Sequence, residues 1–358
     1  MINLQELADS CIECNKCLDV CPVTKVTGND SFTPRGKISL LERIEAGKEL
    51  TEDEMNNVYL STRCGACDDV CPVDIPITDI IQRERQLLAE QGREPEKTGR
   101  ICQNILVNNV PGHMDDAHRF DWVTNDLEIA DKSEIAYMGG CWVSFAQPEI
   151  ARSTIQLLNA ADIRPMLLEE EKCCGLFLID NGHLDEAAEH ARKYVDYIES
   201  QGIKKLVVSC PGCYEVIGKE YAKIGKKPEF EVVFSLDLFS DLVSKGKLQP
   251  RKTTGTVSLR DACPMRKEKD VPRQLISAMG YSIEELFEGT VCCGAPAGVK
   301  PNFPEISGKI ANLTLENLQE GNTLVSYCPF CQYHLDGVSG EPKPAIKDIS
   351  TLLAEQTL

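Results

Sequence analysis

The sequence predicts an α-helical N-terminal module followed by two duplicated α/β modules with small parallel sheets. Three observations carry that prediction. Cysteine runs alternate with helical periodicity in the N-terminal part. A five-cysteine pattern occurs twice in the remainder. Apolar segments of strand length each end at a cysteine. The boundaries suggested are 1–100 for the helical module, 101–133 for a linker, and 134–250 and 251–358 for the two repeats.

Composition narrows the classes. The chain has 358 residues, 56 acidic against 38 basic, a net charge of −18 and 18 cysteines. That acidity argues against nucleic acid or an anionic membrane surface as the main partner. No apolar run approaches the ~20 residues of a membrane helix. The N-terminus, MINLQELADSC, has neither the basic nor the apolar region of a signal peptide, so a cytoplasmic location is expected. The cysteines come in C-x-x-C and Cys-Cys groups in a chain too large for a secreted disulfide scaffold. Metal or cluster ligation in a reducing compartment is therefore expected.

The helical module opens on CIECNKCLDVCP, which sets Cys11, Cys14, Cys17, Cys21 and Pro22 in the spacing C-x2-C-x2-C-x3-C-P. In that spacing three thiolates take three corners of one cubane and the fourth reaches a second cluster. The second run, YLSTRCGACDDVCP, keeps Cys64, Cys67, Cys71 and Pro72 but has Ser61 where the first cysteine would stand. Crossed ligation assigns one cubane 4Fe-4S cluster to Cys11, Cys14, Cys17 and Cys71. A second cubane-type cluster, 4Fe-4S or 3Fe-4S, falls to Cys21, Cys64 and Cys67 with Ser61 in the fourth place. Three readings of Ser61 stay open: an open corner, an alkoxide ligand, or replacement by Cys102, the one cysteine outside every motif. The spacer segments GKISLLERIEAGKEL and EDEMNNVYL carry apolar residues at helical spacing. So does ITDIIQRERQLLAEQG, with Ile77, Ile80, Ile81, Leu87 and Leu88 on one face. This arrangement resembles the α-helical ferredoxin domain found in the iron–sulfur subunit of succinate dehydrogenase and in the C subunit of heterodisulfide reductase.

The first repeat holds Cys141, Cys173, Cys174, Cys210 and Cys213, and the second holds Cys263, Cys292, Cys293, Cys328 and Cys331. Cys141, Cys173, Cys210 and Cys213 match Cys263, Cys292, Cys328 and Cys331 at shifts of 122, 119, 118 and 118 residues, which means internal duplication. EIAYMGGC and TVSLRDAC deliver a cysteine at the end of a strand-like run, as do KKLVVSCPGC and NTLVSYCPFC. DEAAEHARKYVDYIES and PEISGKIANLTLENLQ read as helices between them, so each repeat alternates strand and helix. Ligand groups gather at the carboxyl ends of strands in such sheets. The glycine after each Cys-Cys pair suits a tight turn. Five cysteines per copy exceed the four that zinc takes.

These motifs resemble the CCG domains of the heterodisulfide reductase family, in the order found in its D subunit, which is equivalent to the C and B subunits fused. Ser61 and the compact length are departures. The resemblance implies one non-cubane 4Fe-4S cluster on each five-cysteine set. It also implies a catalytic subunit that reduces the heterodisulfide of coenzyme M and coenzyme B (CoM-S-S-CoB), or a related disulfide, between the two clusters. Ferredoxin-type clusters would feed them, in the setting of methanogenesis. The substrates are anionic, and the basic stretch around Cys263 offers Arg266, Lys267 and Arg273, with Arg260, Lys269 and Lys300 nearby. His334 is a candidate proton donor. No G-x-G-x-x-G marks a nucleotide site. Electrons would come from a redox partner, either a membrane cytochrome b or a soluble flavin protein, the first placing the chain at the inner face of the membrane. The competing reading is a non-catalytic electron-transfer subunit of the glycolate oxidase or glycerol-3-phosphate dehydrogenase type. Completeness of both cysteine sets favours catalysis.

Overall fold

The computed structural model describes residues 3–112, 114–340 and 343–358. The chain divides into two compact units. The first joins Met1–Gln103, Phe177–Leu184 and Gly289–Glu316; the second joins Asn104–Leu176, Asp185–Glu288 and Asn317–Leu358.

The first unit is helical, as the periodicity predicts. Thr51 starts the helix Glu52–Tyr59 with a capping box. Its hydroxyl accepts from the Glu54 amide while the Glu54 carboxylate accepts from the Thr51 amide. Thr33 caps the helix Pro34–Ile38, whose first residue is a proline with no amide to satisfy. The long helix Ile77–Glu90 turns Ile77, Ile80, Ile81, Leu87 and Leu88 inward against Ile38, Leu41, Ile44 and Val58. A smaller apolar cluster joins Val23 and Leu60 to Val299 and Ile310, so the late segment shares the core of this unit.

The second unit holds two four-stranded parallel sheets. The strands are β1 (Ile135–Met138), β2 (Met166–Leu167), β3 (Lys205–Val208) and β4 (Glu231–Phe234), then β5 (Thr256–Leu259), β6 (Ser282–Glu285), β7 (Thr323–Ser326) and β8 (Ile346–Asp348). Their orders, β2-β1-β3-β4 and β6-β5-β7-β8, are the same topology twice. The apolar runs predicted as strands are the two inner strands of each sheet, β1 with β3 and β5 with β7. Each inner strand ends two to four residues before a cysteine of its set. Among the described residues no helix is long and apolar enough to cross a membrane.

Candidate metal centres

Two cavities in the first unit gather the cysteines of the helical module. One is lined by Cys11, Cys14, Cys17 and Cys71; the other by Cys21, Cys64, Cys67 and Ser61. The local chain explains the first. Glu13 and Asn15 hold positive φ, which coils the Cys11–Cys17 segment so that three side chains converge. In the second cavity the Ser61 hydroxyl accepts from the Arg63 amide at 3.2 Å. Cys102 does not line it; it packs instead beside Glu94 and His183.

Two cations, Lys37 and Arg63, line the second cavity, and Arg85 holds the chain beside it. Lys37 is 1% exposed and donates to Asn57 Oδ1 at 2.8 Å. Burial pushes its ammonium pKa down, and the charges of Cys21 and Cys67 push it back up. Arg85, fully buried, donates to the carbonyls of Val58, Tyr59 and Ser61, and to those of Asp180 and Ala297. One guanidinium thereby fixes the stretch of chain that presents Ser61. Arg63 pairs with Asp180 at 2.6 Å beside it. Such charges suit thiolate-ligated clusters, whose net charge is negative.

The five cysteines of the first repeat are near enough to perturb one another in the order Cys141, Cys173, Cys174, Cys213, Cys210. Cys173 and Cys213 pull the Cys174 thiol down, whereas Cys173 and burial push Cys141 up. Five packed sulfurs cannot all ionise unless a cation joins them, so this donor set fits an iron–sulfur group. The turn geometry follows from the sequence. Cys210 is the N-cap and Pro211 the first residue of a helix, so Cys213 returns one turn later on the same face. Cys328, Pro329 and Cys331 repeat that arrangement. Gly140 has a φ of +77°, and a Cβ there would stand 3.1 Å from the Cys213 sulfur.

Polar residues outside the motifs lock this set in place. Glu171 accepts from the Gly140 amide at 3.0 Å and pairs with Arg119 at 3.1 Å, both side chains 2% exposed. His190 Nε2 donates to the Cys173 carbonyl at 2.7 Å, and the Tyr221 hydroxyl donates to the Cys174 carbonyl at 2.9 Å. None of the four stood out in the sequence. Glu171 lies two residues before Cys173, the one local signal; Arg119 falls in the expected linker.

In the second repeat, Cys263, Cys328 and Cys331 belong to the second unit, and Cys292 and Cys293 to the first. The Cys-Cys turn is tight. The Gly294 amide donates to the Cys292 sulfur at 3.4 Å, and Ser307 Oγ donates to the Gly294 carbonyl at 2.9 Å. Lys300 is half-buried and feels the charge of Cys293. An aromatic stack joins the repeats. Trp142, next to Cys141, lies on Phe330, between Cys328 and Cys331, and Tyr333 adds a second contact.

The basic stretch is divided in its commitments. Arg273 makes paired bonds to Asp261 and to Glu285, and Lys269 reaches Asp261 at 3.2 Å. Asp261 in turn accepts from the Tyr327 hydroxyl next to Cys328. Arg260 is buried after β5, and His334 is buried on the helix Pro329–Val338. Lys267 lines a cleft of about 320 Å³ with Asp237, Glu268, Asp270 and Tyr327.

Comparisons with known proteins agree with this layout. The 4Fe-4S dicluster domain family matches residues 7–75, and the Cysteine-rich domain family (CCG) matches residues 135–218 and 259–336. The chain is 30% identical to the D subunit of the dihydromethanophenazine:CoB–CoM heterodisulfide reductase of Methanosarcina barkeri, over 99% of this chain and 95% of that protein. It is 25% identical to the B subunit of the fumarate reductase (CoM/CoB) of Methanothermobacter marburgensis, over 91% of this chain and 66% of that protein. It is 26% identical to the EtfAB:quinone oxidoreductase of Syntrophomonas wolfei, over 96% of this chain and 57% of that protein.

Proposed function

Because the chain belongs to the family of heterodisulfide reductase D subunits and is an iron–sulfur oxidoreductase, we propose that it is the component that opens CoM-S-S-CoB. The products are two thiols: one S–S bond takes up two electrons and two protons. The clusters, when bound, supply those electrons one at a time. Each five-cysteine set holds a non-cubane 4Fe-4S cluster. Cys11, Cys14, Cys17 and Cys71 hold one cubane, and Cys21, Cys64 and Cys67, with Ser61 at the fourth corner, hold the other. A redox partner delivers the electrons.

The observation that carries this reading is the Trp142–Phe330 stack. It joins a residue beside Cys141 to one beside Cys331, which supports a substrate with one sulfur for each set. Glu171, Arg119, His190 and Tyr221 hold the first set's backbone in position. Arg266 and Lys267, beside Cys263, are the cations we assign to the sulfonate and phosphate of the substrate.

The test is turnover by the anaerobically purified protein with a reduced viologen and CoM-S-S-CoB. Two thiols should appear per disulfide consumed. If quinones or unrelated disulfides turn over and this one does not, the second reading, a non-catalytic electron-transfer protein, takes its place. Similarity to a protein named EtfAB:quinone oxidoreductase favours that alternative.

A further inference from the structure

Within the first unit, three metal-binding side chains from separate parts of the sequence come together away from both cluster cavities. Glu94 precedes the helix Glu96–Asn108, Cys102 lies on it, and His183 stands at the end of the segment Phe177–Leu184. One ligand atom from each lies within 4.8 Å of the others. Cys102 is 1% exposed, and the side chains of Glu94 and His183 are 19% and 15% exposed. His183 Nε2 and Glu94 Oε2 are 2.9 Å apart.

Two further observations point to a ligand. The Tyr59 hydroxyl is buried with no hydrogen-bond partner; burial raises its pKa, Arg85 over its ring opposes that, and Glu94 and Cys102 add to it. A buried hydroxyl without a partner costs about 1–3 kcal/mol, so something polar is expected there. Gly99 lies on the same helix as Cys102, and a Cβ on it would meet Glu94 Oε1 at 2.7 Å. Gly99, in the first turn of that helix, gives the carboxylate room to turn toward Cys102.

We propose that Glu94, Cys102 and His183 bind one zinc ion, with a water as fourth ligand hydrogen-bonded to Tyr59. The donor set is one sulfur, one nitrogen and one oxygen, which suits a borderline cation. A thiolate, a carboxylate and a neutral imidazole bring two negative charges. A divalent cation cancels both and leaves the half-buried site neutral. Ligand atoms around a tetrahedral zinc stand about 3.3–3.8 Å apart, given bonds of about 2.0–2.3 Å. The observed spacing reaches that geometry by small rotations of the Glu94 and His183 side chains. The ion ties Phe177–Leu184 to the helix Glu96–Asn108 and, through Tyr59, to the chain that presents Ser61. Its role is structural.

The test uses the anaerobically purified holoprotein supplied with zinc during growth. About one zinc per chain should survive exchange against a moderate chelator. X-ray absorption at the zinc edge should show one sulfur and otherwise nitrogen or oxygen. His183→Ala and Cys102→Ser should remove that zinc and leave iron and acid-labile sulfide unchanged. If either variant fails to fold, Glu94→Gln, which preserves shape, should still weaken zinc retention at least tenfold. A holoprotein complete in iron but without stoichiometric zinc overturns the proposal. So does an all-sulfur zinc shell, which would place the ion on cluster cysteines, or zinc retained in the variants.

Discussion

Trp142 and Phe330 lie ring on ring, their centroids 4.2 Å apart and their planes 15° from parallel. Each belongs to a different copy of the duplicated module, and each is next to a cysteine of its own set. The pair joins a residue beside Cys141 in one copy to a residue beside Cys331 in the other.

That pair should be energetically coupled. Stacked aromatic pairs contribute about 0.5–1.5 kcal/mol beyond their buried area. In a double-mutant cycle of Trp142→Ala and Phe330→Ala, the doubly substituted protein should lose less stability than the two single losses added together. Apparent Tm of the anaerobic holoprotein measures it, at about 2–4 °C per kcal/mol for domains of this size. Strict additivity would mean that the rings touch without holding the repeats together.

The Cys292–Cys293 turn depends on Gly294, which has a φ of +92°; a Cβ there would stand 2.6 Å from the Ser307 carbonyl. Gly294→Ala adds backbone strain of about 1–3 kcal/mol to that overlap. Iron and sulfide analysis should show the loss of about one four-iron cluster per chain. Gly289→Ala is the control, since a Cβ there meets nothing within 4 Å. Full iron in Gly294→Ala would show that the turn can relax.

Glu84 is fully buried, neither carboxyl oxygen has a hydrogen-bond partner, and burial pushes its pKa well above the carboxylate range. The charged groups acting on it are Lys37 and Arg85, and both oppose that rise. Its folded pKa lies above its unfolded one, so the folded state holds the extra proton. Its contribution is complete below about pH 4 and is lost as pH rises toward the folded pKa. Thermal scans from pH 5 to pH 9 should show Tm falling less steeply in Glu84→Gln than in the unsubstituted protein. Parallel curves would mean that Glu84 stays ionised.

Ser61 lines the cavity of Cys21, Cys64 and Cys67 and is 9% exposed. Ser61→Cys offers a soft thiolate in place of a hydroxyl, which iron–sulfur clusters prefer. Iron release under controlled oxidation should slow by several-fold, followed by chelator absorbance. An unchanged rate would place Ser61 off the cluster.

Much of this arrangement was legible. β1, β3, β5 and β7 are apolar because both their faces are covered, and a buried parallel strand is what a short apolar run signals. The outer strands were not visible. β2 is two residues long, and β6 reads Ser-Ile-Glu-Glu, because an edge needs little apolar surface. Cysteine spacing grouped the thiols within each turn, Cys11 to Cys17, Cys173 with Cys174 and Cys210 with Cys213, since those turns are local. Arg119 with Glu171, and Glu94 with His183, left no mark in the sequence. Such pairs are long-range, and one sequence carries no signal of what a polar side chain meets across a fold. Arg273 shows the same limit. A basic stretch looks alike whether it faces an anion or, as here, Asp261 and Glu285.

The first unit begins near the N-terminus and is completed by Gly289–Glu316, where Val299 and Ile310 close over Val23 and Leu60. A ribosome therefore exposes Cys11 to Cys71 and the rest of the N-terminal cluster-site residues long before the chain that seals their core exists. The larger core, from Ala8 to Leu88, and the linings of both cavities are already made by then. Only the smaller cluster of Val23 and Leu60 must wait for Val299 and Ile310. The late segment is a finishing piece, added to a module whose cysteines have long since emerged.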